Sequence, residues 1–155
     1  MARFEVGVHA VVFDKEMRIL LVHRRDMDLW DLPGGGMENN EVPTEAVIRE
    51  TREETGLDVD VQRLFIVATT PENLLGFTYF CRVIGGETTP TDESDQVRFF
   101  RLDELPENLS PRKRGMIQLS MENPPDITYR HVDLPSGREW LAERAKTKES
   151  DKDGA

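Results

Sequence analysis

Basic residues are in short supply: 20 Lys and Arg stand against 30 Asp and Glu, a formal net charge of −10. Such a surface repels nucleic-acid phosphates, so general binding to DNA or RNA is not expected. Cysteine is scarcer still. The single thiol, Cys81, can form no disulfide within the chain and lies in the apolar run 77–84, where it reads as a core residue rather than a nucleophile. Long apolar runs are missing too. The opening MARFEVGV lacks the apolar length of a signal peptide or membrane helix, so a cytoplasmic protein with no membrane partner is expected. Aromatics make up 7% and hydrophobic residues 37% of 155 residues, a polar composition that still suffices for the core of one domain.

Residues 4–13 and 17–22 are rich in β-branched and aromatic types and read as strands around a polar turn. Their near-continuous apolar character suits strands covered on both faces. Further strands are expected over 59–68, 76–84 and 97–102, with a long polar loop at 85–96. Pro33 and Gly34, Gly35 and Gly36 mark a loop. A helix should begin near Pro43 and stop at Gly56, a natural left-handed cap. Ser110 and Pro111 open a second helix running to about Met121, and a short third one is expected around Trp140 and Leu141. Residues 122–135 show no period. Residues 1–145 are taken as one domain, and the charged segment 146–155 as a disordered tail.

The stretch 30–57 carries the chemistry. On a helix wheel, Val47, Thr51, Thr44 and Ile48 fall on the core side, Glu45, Arg49 and Arg52 on another, and Glu50, Glu53 and Glu54 with Ala46 on a third. Three carboxylates on one helical side repel one another unless a cation sits among them. A glycine-rich turn lets backbone approach the same point. Glycine carbonyls and carboxylates are the oxygen ligands that Mg²⁺ takes, and Mg²⁺ commonly shares itself with substrate phosphates. A solvated acidic face is the plainer reading of the glutamates alone; the adjoining glycines shift the balance.

Gly35, five residues, Glu41, seven residues, then Arg49-Glu50-Thr51-Arg52-Glu53-Glu54-Thr55-Gly56-Leu57 resembles the Nudix box. All its specified positions match except Thr51, where an aliphatic residue is usual and where the threonine methyl can still pack. The resemblance implies an α/β (α+β) fold, the Nudix α/β/α sandwich with a mixed sheet. It implies a hydrolase that uses Mg²⁺ or Mn²⁺ to cleave a nucleoside diphosphate linked to another group. Carried over by position, Glu50, Glu53 and Glu54 would hold metal with help from the Gly34 or Gly35 carbonyl. Arg49 would orient the glutamates, and Glu41 would bind a further ion or steady the loop. Related proteins often carry a further glutamate just before the strand that here begins at Val97. Gln96 stands there instead, with Glu93 and Asp95 as nearby candidates.

Arg25, at the end of the second strand, is a candidate for substrate phosphate, although Arg24 and Arg25 cannot face the same way. Trp30 and the Gly36 backbone are further candidates for contact with a nucleotide. His9, His23 and His131 receive no role, and the basic cluster 112–114 reads as a solvated helix side. Pro71, fourteen residues past Leu57, falls close to a proline of ADP-ribose-hydrolysing relatives, so the resemblance favours ADP-ribose or a related nucleotide sugar. The alternatives are a nucleotide-pool enzyme acting on (d)NTPs and a nucleotide-sensing module without catalysis. Tyr129, Trp140 and Leu141 are candidates for a homodimer interface.

Overall fold

The structure, a computed structural model, describes residues 1–154. In chain order the elements are β1 (Glu5–Val12), β2 (Ile19–Arg24), β3 (Trp30–Asp31), β4 (Gly34–Gly36), α1 (Pro43–Thr55), β5 (Leu57–Thr69), β6 (Leu74–Gly86), β7 (Ser94–Phe100), α2 (Pro111–Glu122), β8 (Thr128–His131) and α3 (Gly137–Asp153). They form a mixed five-stranded sheet in the order β4-β1-β6-β5-β8 and a three-stranded sheet in the order β3-β2-β7. The pairs β1/β6 and β5/β8 are parallel.

Alternation along β1 builds both cores. Val8, Ala10 and Val12 pack with Ala46 and Val47 of α1, while Val11 joins Phe65 and Ile117 of α2 on the opposite face. The sheets therefore lie between helices, as the apolar strands led one to expect. Helix α1 starts with Pro43 and ends on Gly56 at φ 79°, whose N–H donates to the Arg52 carbonyl. Its buried stripe is Ala46, Val47, Glu50, Thr51 and Thr55, whereas Thr44 and Ile48 are exposed. The wheel is thus rotated by about one position from the expected one, because Glu50 turns inward to the glycine strand. Thr51 is fully buried, and its hydroxyl is satisfied by the Val47 carbonyl at 2.7 Å.

Other expectations need correction. The glycines 34–36 form a short strand, since β1 offers its free edge to them. Strand β8 arises in a segment without visible period, as parallel pairing with β5 supplies what amphipathicity does not. Helix α3 runs on through the charged residues 146–153, and Ala155 lies outside the described residues. The helix starts from a capping box: Ser136 Oγ accepts from the Glu139 N–H and the Glu139 carboxylate accepts from the Ser136 N–H. Trp140 and Leu141 are partly buried within the chain itself, which leaves Tyr129 as the exposed member of the proposed dimer patch.

Candidate metal centre

The glycine strand and α1 meet through specific bonds. The Ala10 N–H donates to the Pro33 carbonyl and the Met37 N–H to the Val6 carbonyl, which makes Val8 and Gly35 a hydrogen-bonded pair. Gly34 and Gly36 therefore turn their backbone groups away from β1. The Gly34 N–H donates to Glu54 Oε2 at 3.1 Å, and the Gly36 carbonyl accepts from Arg49 at 3.0 Å. The Gly34 backbone is thus tied directly to the acid side of α1. A Cβ on Gly34 would lie 2.1 Å from the Val8 carbonyl oxygen, and one on Gly35 would lie 2.5 Å from Glu50 Cδ. Gly35→Ala should push the Glu50 carboxylate aside. Differential scanning calorimetry should then show, for this variant, little of the rise in melting temperature expected when Mg²⁺ is added to the unaltered chain.

Arg49 binds the acids together. Its guanidinium grips Glu41 with two bonds, at 3.0 and 2.7 Å, and reaches Glu50 at 3.0 Å and Glu53 at 3.2 Å. These bonds, with one from the Glu38 N–H, hold the Glu41 carboxyl down at about 2. Both Glu41 oxygens accept hydrogen bonds, which tie the loop 36–42 to α1.

Glu50, Glu54 and Glu93 converge, each offering an oxygen within 4.8 Å of the others. Glu53 is not among them; its carboxylate stands half-exposed with Arg49 as its partner. Glu93 sits in the bend before β7, and Arg25 holds that bend: its N–H donates to the Glu93 carbonyl at 3.0 Å and its Nε to the Thr91 carbonyl at 2.7 Å. Arg25 thus fixes Glu93 through its backbone and Nε, while its side chain stays exposed. The guanidinium on the acid side is that of Arg24, chelated by Asp26 and raised in pKa by that bond, with Asp31 and Glu54 adding to the effect. Asp95, the other candidate beside Glu93, accepts from His23 Nδ1 at 2.7 Å, while Asp28 lies 2.8 Å from Nε2. Trp30 is core: its ring is 7% exposed and lies edge-on to His23 and Phe100. Pro71 occupies a turn in which the Thr70 carbonyl accepts from the Asn73 N–H, so turn geometry accounts for it without a ligand.

The basic cluster on α2 is not solvated. Arg112 bonds the Leu134 carbonyl and Glu72, Arg114 bonds the Leu109 and Pro106 carbonyls, and Lys113 reaches His9 at 2.7 Å and Asp31 at 3.0 Å. The signal was in the sequence: Lys113 precedes Met116 and Ile117 by three and four residues, on the apolar stripe of α2.

Electrostatics at the trio call for a cation. Burial pushes the Glu54 carboxyl up to about 8, and neighbouring Asp31, Glu50 and Glu93 push the same way. Burial also raises Glu50, against the pull of Arg49. Three converging carboxylates are a hard-cation donor set, and a divalent ion there would reverse both shifts.

Residues 3–119 match the NUDIX domain. A MutT-like protein of Streptomyces ambofaciens is 34% identical over 106 residues, which cover 68% of this chain and 69% of that one. An ADP-ribose pyrophosphatase of Methanocaldococcus jannaschii is 35% identical over 103 residues; the match covers 61% of each chain, so this chain spans about three fifths of that relative. Among solved structures, an ADP-ribose pyrophosphatase of Streptococcus suis superposes with a TM-score of 0.69 at 28% identity, covering 84% of this chain and all of that one.

Proposed function

The chain belongs to the Nudix family, and on that premise we propose that it hydrolyses the diphosphate linkage of a nucleoside diphosphate derivative, with ADP-ribose or a related nucleotide sugar favoured. The observation that carries the reading is the convergence of Glu50, Glu54 and Glu93. These groups would hold Mg²⁺ or Mn²⁺. When bound, the ion neutralises charge on the phosphoryl oxygens and lowers the pKa of a water.

The chain's own residues do the rest. Arg49 keeps Glu50 and Glu53 apart from one another and oriented. Glu53, engaged only by Arg49 at 3.2 Å, is the carboxylate free to accept a proton as water attacks phosphorus and the bridging P–O bond breaks. Arg24, on the acid side, would meet the substrate's diphosphate. The substrate preference rests on the relatives named as ADP-ribose pyrophosphatases, since Pro71 lends it no support.

A hydrolysis screen with product analysis tests the reading. ADP-ribose should yield AMP and ribose 5-phosphate. A monophosphate plus pyrophosphate from (d)NTPs would make this a nucleotide-pool enzyme instead. Tight binding without turnover in Mg²⁺ or Mn²⁺ would make it a nucleotide-sensing module.

Metal binding should also release protons. In the metal-free chain the Glu54 carboxyl, raised from 4.5 to about 8, still carries its proton at pH 7, and a metal ligand must lose it. Calorimetric titration in buffers of different ionisation enthalpy should report close to one proton released at pH 7 and fewer at pH 9. The same shift has a stability consequence. The folded chain holds this proton more tightly than the unfolded one, so its contribution is complete below pH 4.5 and gone above about 8. The stability difference between the metal-free chain and Glu54→Gln should drift with pH across that window.

A further inference from the structure

The two sheets are joined by the β1–β2 hairpin and, at the other end, by Leu32 and Pro33 between β3 and β4. The bridge between Phe13 and Ile19 closes the hairpin; from there β1 enters the five-stranded sheet and β2 the three-stranded one. The end away from that bridge carries the acids. Gly34, Glu50 and Glu54 stand on the side of the large sheet, and Glu93 leads into β7 of the small one. The distance between the sheets at that end therefore sets whether three carboxylates meet.

One ammonium spans the gap behind the glycines. Lys113, in the first turn of α2, places Nζ 2.7 Å from His9 Nε2 on β1 and 3.0 Å from Asp31 on β3. His9 in turn backs the glycine strand: a Cβ on Gly34 would approach its Cδ2 to 3.0 Å. A continuous line of contacts thus runs from Glu54 through Gly34 and His9 to Lys113, and on to the small sheet at Asp31. Packing alone does not favour this arrangement. The lysine side chain is only 15% exposed. His9 is partly buried, and since Lys113 can only donate to Nε2, its proton sits on Nδ1, a buried atom with no partner among the described residues. Apolar side chains at both positions would leave no orphaned donor. Burial first and Lys113 second hold the imidazole at about 3, so the contact stays in one protonation state at working pH.

We propose that Lys113 is a positioning residue for the metal centre: by tying Asp31 of the small sheet to His9 of the large one, it sets the separation at which Glu93 meets Glu50 and Glu54. The inference rests on the metal reading of those acids. It concerns a residue outside the sequence motif, on a helix that touches none of the three carboxylates.

Mn²⁺ alone, titrated into the full chain without nucleotide and followed by the EPR signal of the free ion, tests it. Lys113→Met keeps the stem and removes the ammonium, and should weaken Mn²⁺ binding about tenfold, the scale at which supporting residues tune metal sites. Arg112→Met removes a neighbouring α2 cation that is equally withdrawn from water but bonded to Glu72 and Leu134. It should lower the melting temperature and leave Mn²⁺ affinity unchanged. Should Lys113→Met fail to fold, Lys113→Gln, which can still donate to one of the two partners, should bind Mn²⁺ with intermediate affinity. Unchanged affinity in the folded Lys113 variant would overturn the proposal. So would an equal loss in Arg112→Met, because affinity would then merely follow stability. If the unaltered chain binds no Mn²⁺, the metal reading itself fails and this inference goes with it.

Discussion

Glu54→Gln is expected to lower metal-dependent turnover by about three orders of magnitude, the upper range for removing one charge-stabilising group from a preorganised site, with the fold intact. The amide oxygen can still accept from the Gly34 N–H, so the 3.1 Å contact that joins α1 to β4 has a replacement. What is lost is the carboxylate that a metal would neutralise. In its metal-free state the protein already protonates this group near neutrality, so the neutral amide resembles the resting form in charge and shape. The variant should melt as high as the unaltered chain without metal and gain nothing from millimolar Mg²⁺. Steady-state kinetics beside calorimetry separates the outcomes. Turnover that survives in Glu54→Gln with its Mg²⁺ dependence unchanged would remove this residue from the site.

Arg49→Met should be nearly as damaging, for a different reason. One guanidinium serves Glu41, Glu50, Glu53 and the Gly36 carbonyl. Without it the acids repel one another and the loop 36–42 loses its anchor to α1. A displacement of about 1 Å at a catalytic group is enough for about a hundredfold loss of rate. Arg49→Lys should rescue little, because a single ammonium cannot reproduce a planar fork that bonds several partners at once. The effect on stability has a pH signature. Arg49 depresses the Glu41 carboxyl from 4.5 to about 2, so this contribution is present above pH 4.5 and is lost as pH falls through about 2. The stability gap between the unaltered chain and Arg49→Met, read by denaturant unfolding, should narrow over that interval. A constant gap would mean that the guanidinium acts by packing instead.

The region around the glutamates was legible in the sequence because its geometry is local. Spacing along one helix places Glu50 and Glu54 together, and a proline and a glycine mark where that helix starts and stops. Which helical side is buried was read one position off. That choice depends on the inward turn of Glu50 against Gly35, a contact between residues fifteen apart. The third acid illustrates the limit more sharply. Glu93 and Asp95 are equivalent as letters, and the decision falls to the β2–β7 register, which shifts between His23 and Arg24 and sends Asp95 to the imidazole. Nothing in either strand alone encodes that shift.

The buried lysine was missed through reading three basic residues as a group. Their individual angles around α2 would have put Lys113 on the stripe of Met116 and Ile117. At the end of the chain the charged composition of 146–153 reads as disorder, while Ser136 and Glu139 supply the capping signature of a helix start. Trp30 and Pro71 carry the opposite lesson. Each matched a ligand-contact expectation by residue type, and each has a local explanation, one as core and one as a turn.

The account stands on the claim that Glu50, Glu54 and Glu93 grip a divalent ion. Crystals grown with Mn²⁺ and measured at its absorption edge test that directly. An anomalous peak enclosed by oxygens of these three carboxylates, at a coordination distance of about 2.1 Å and with the Gly34 carbonyl turned toward it, is the predicted result. Full Mn²⁺ occupancy elsewhere with no peak among these acids would contradict it.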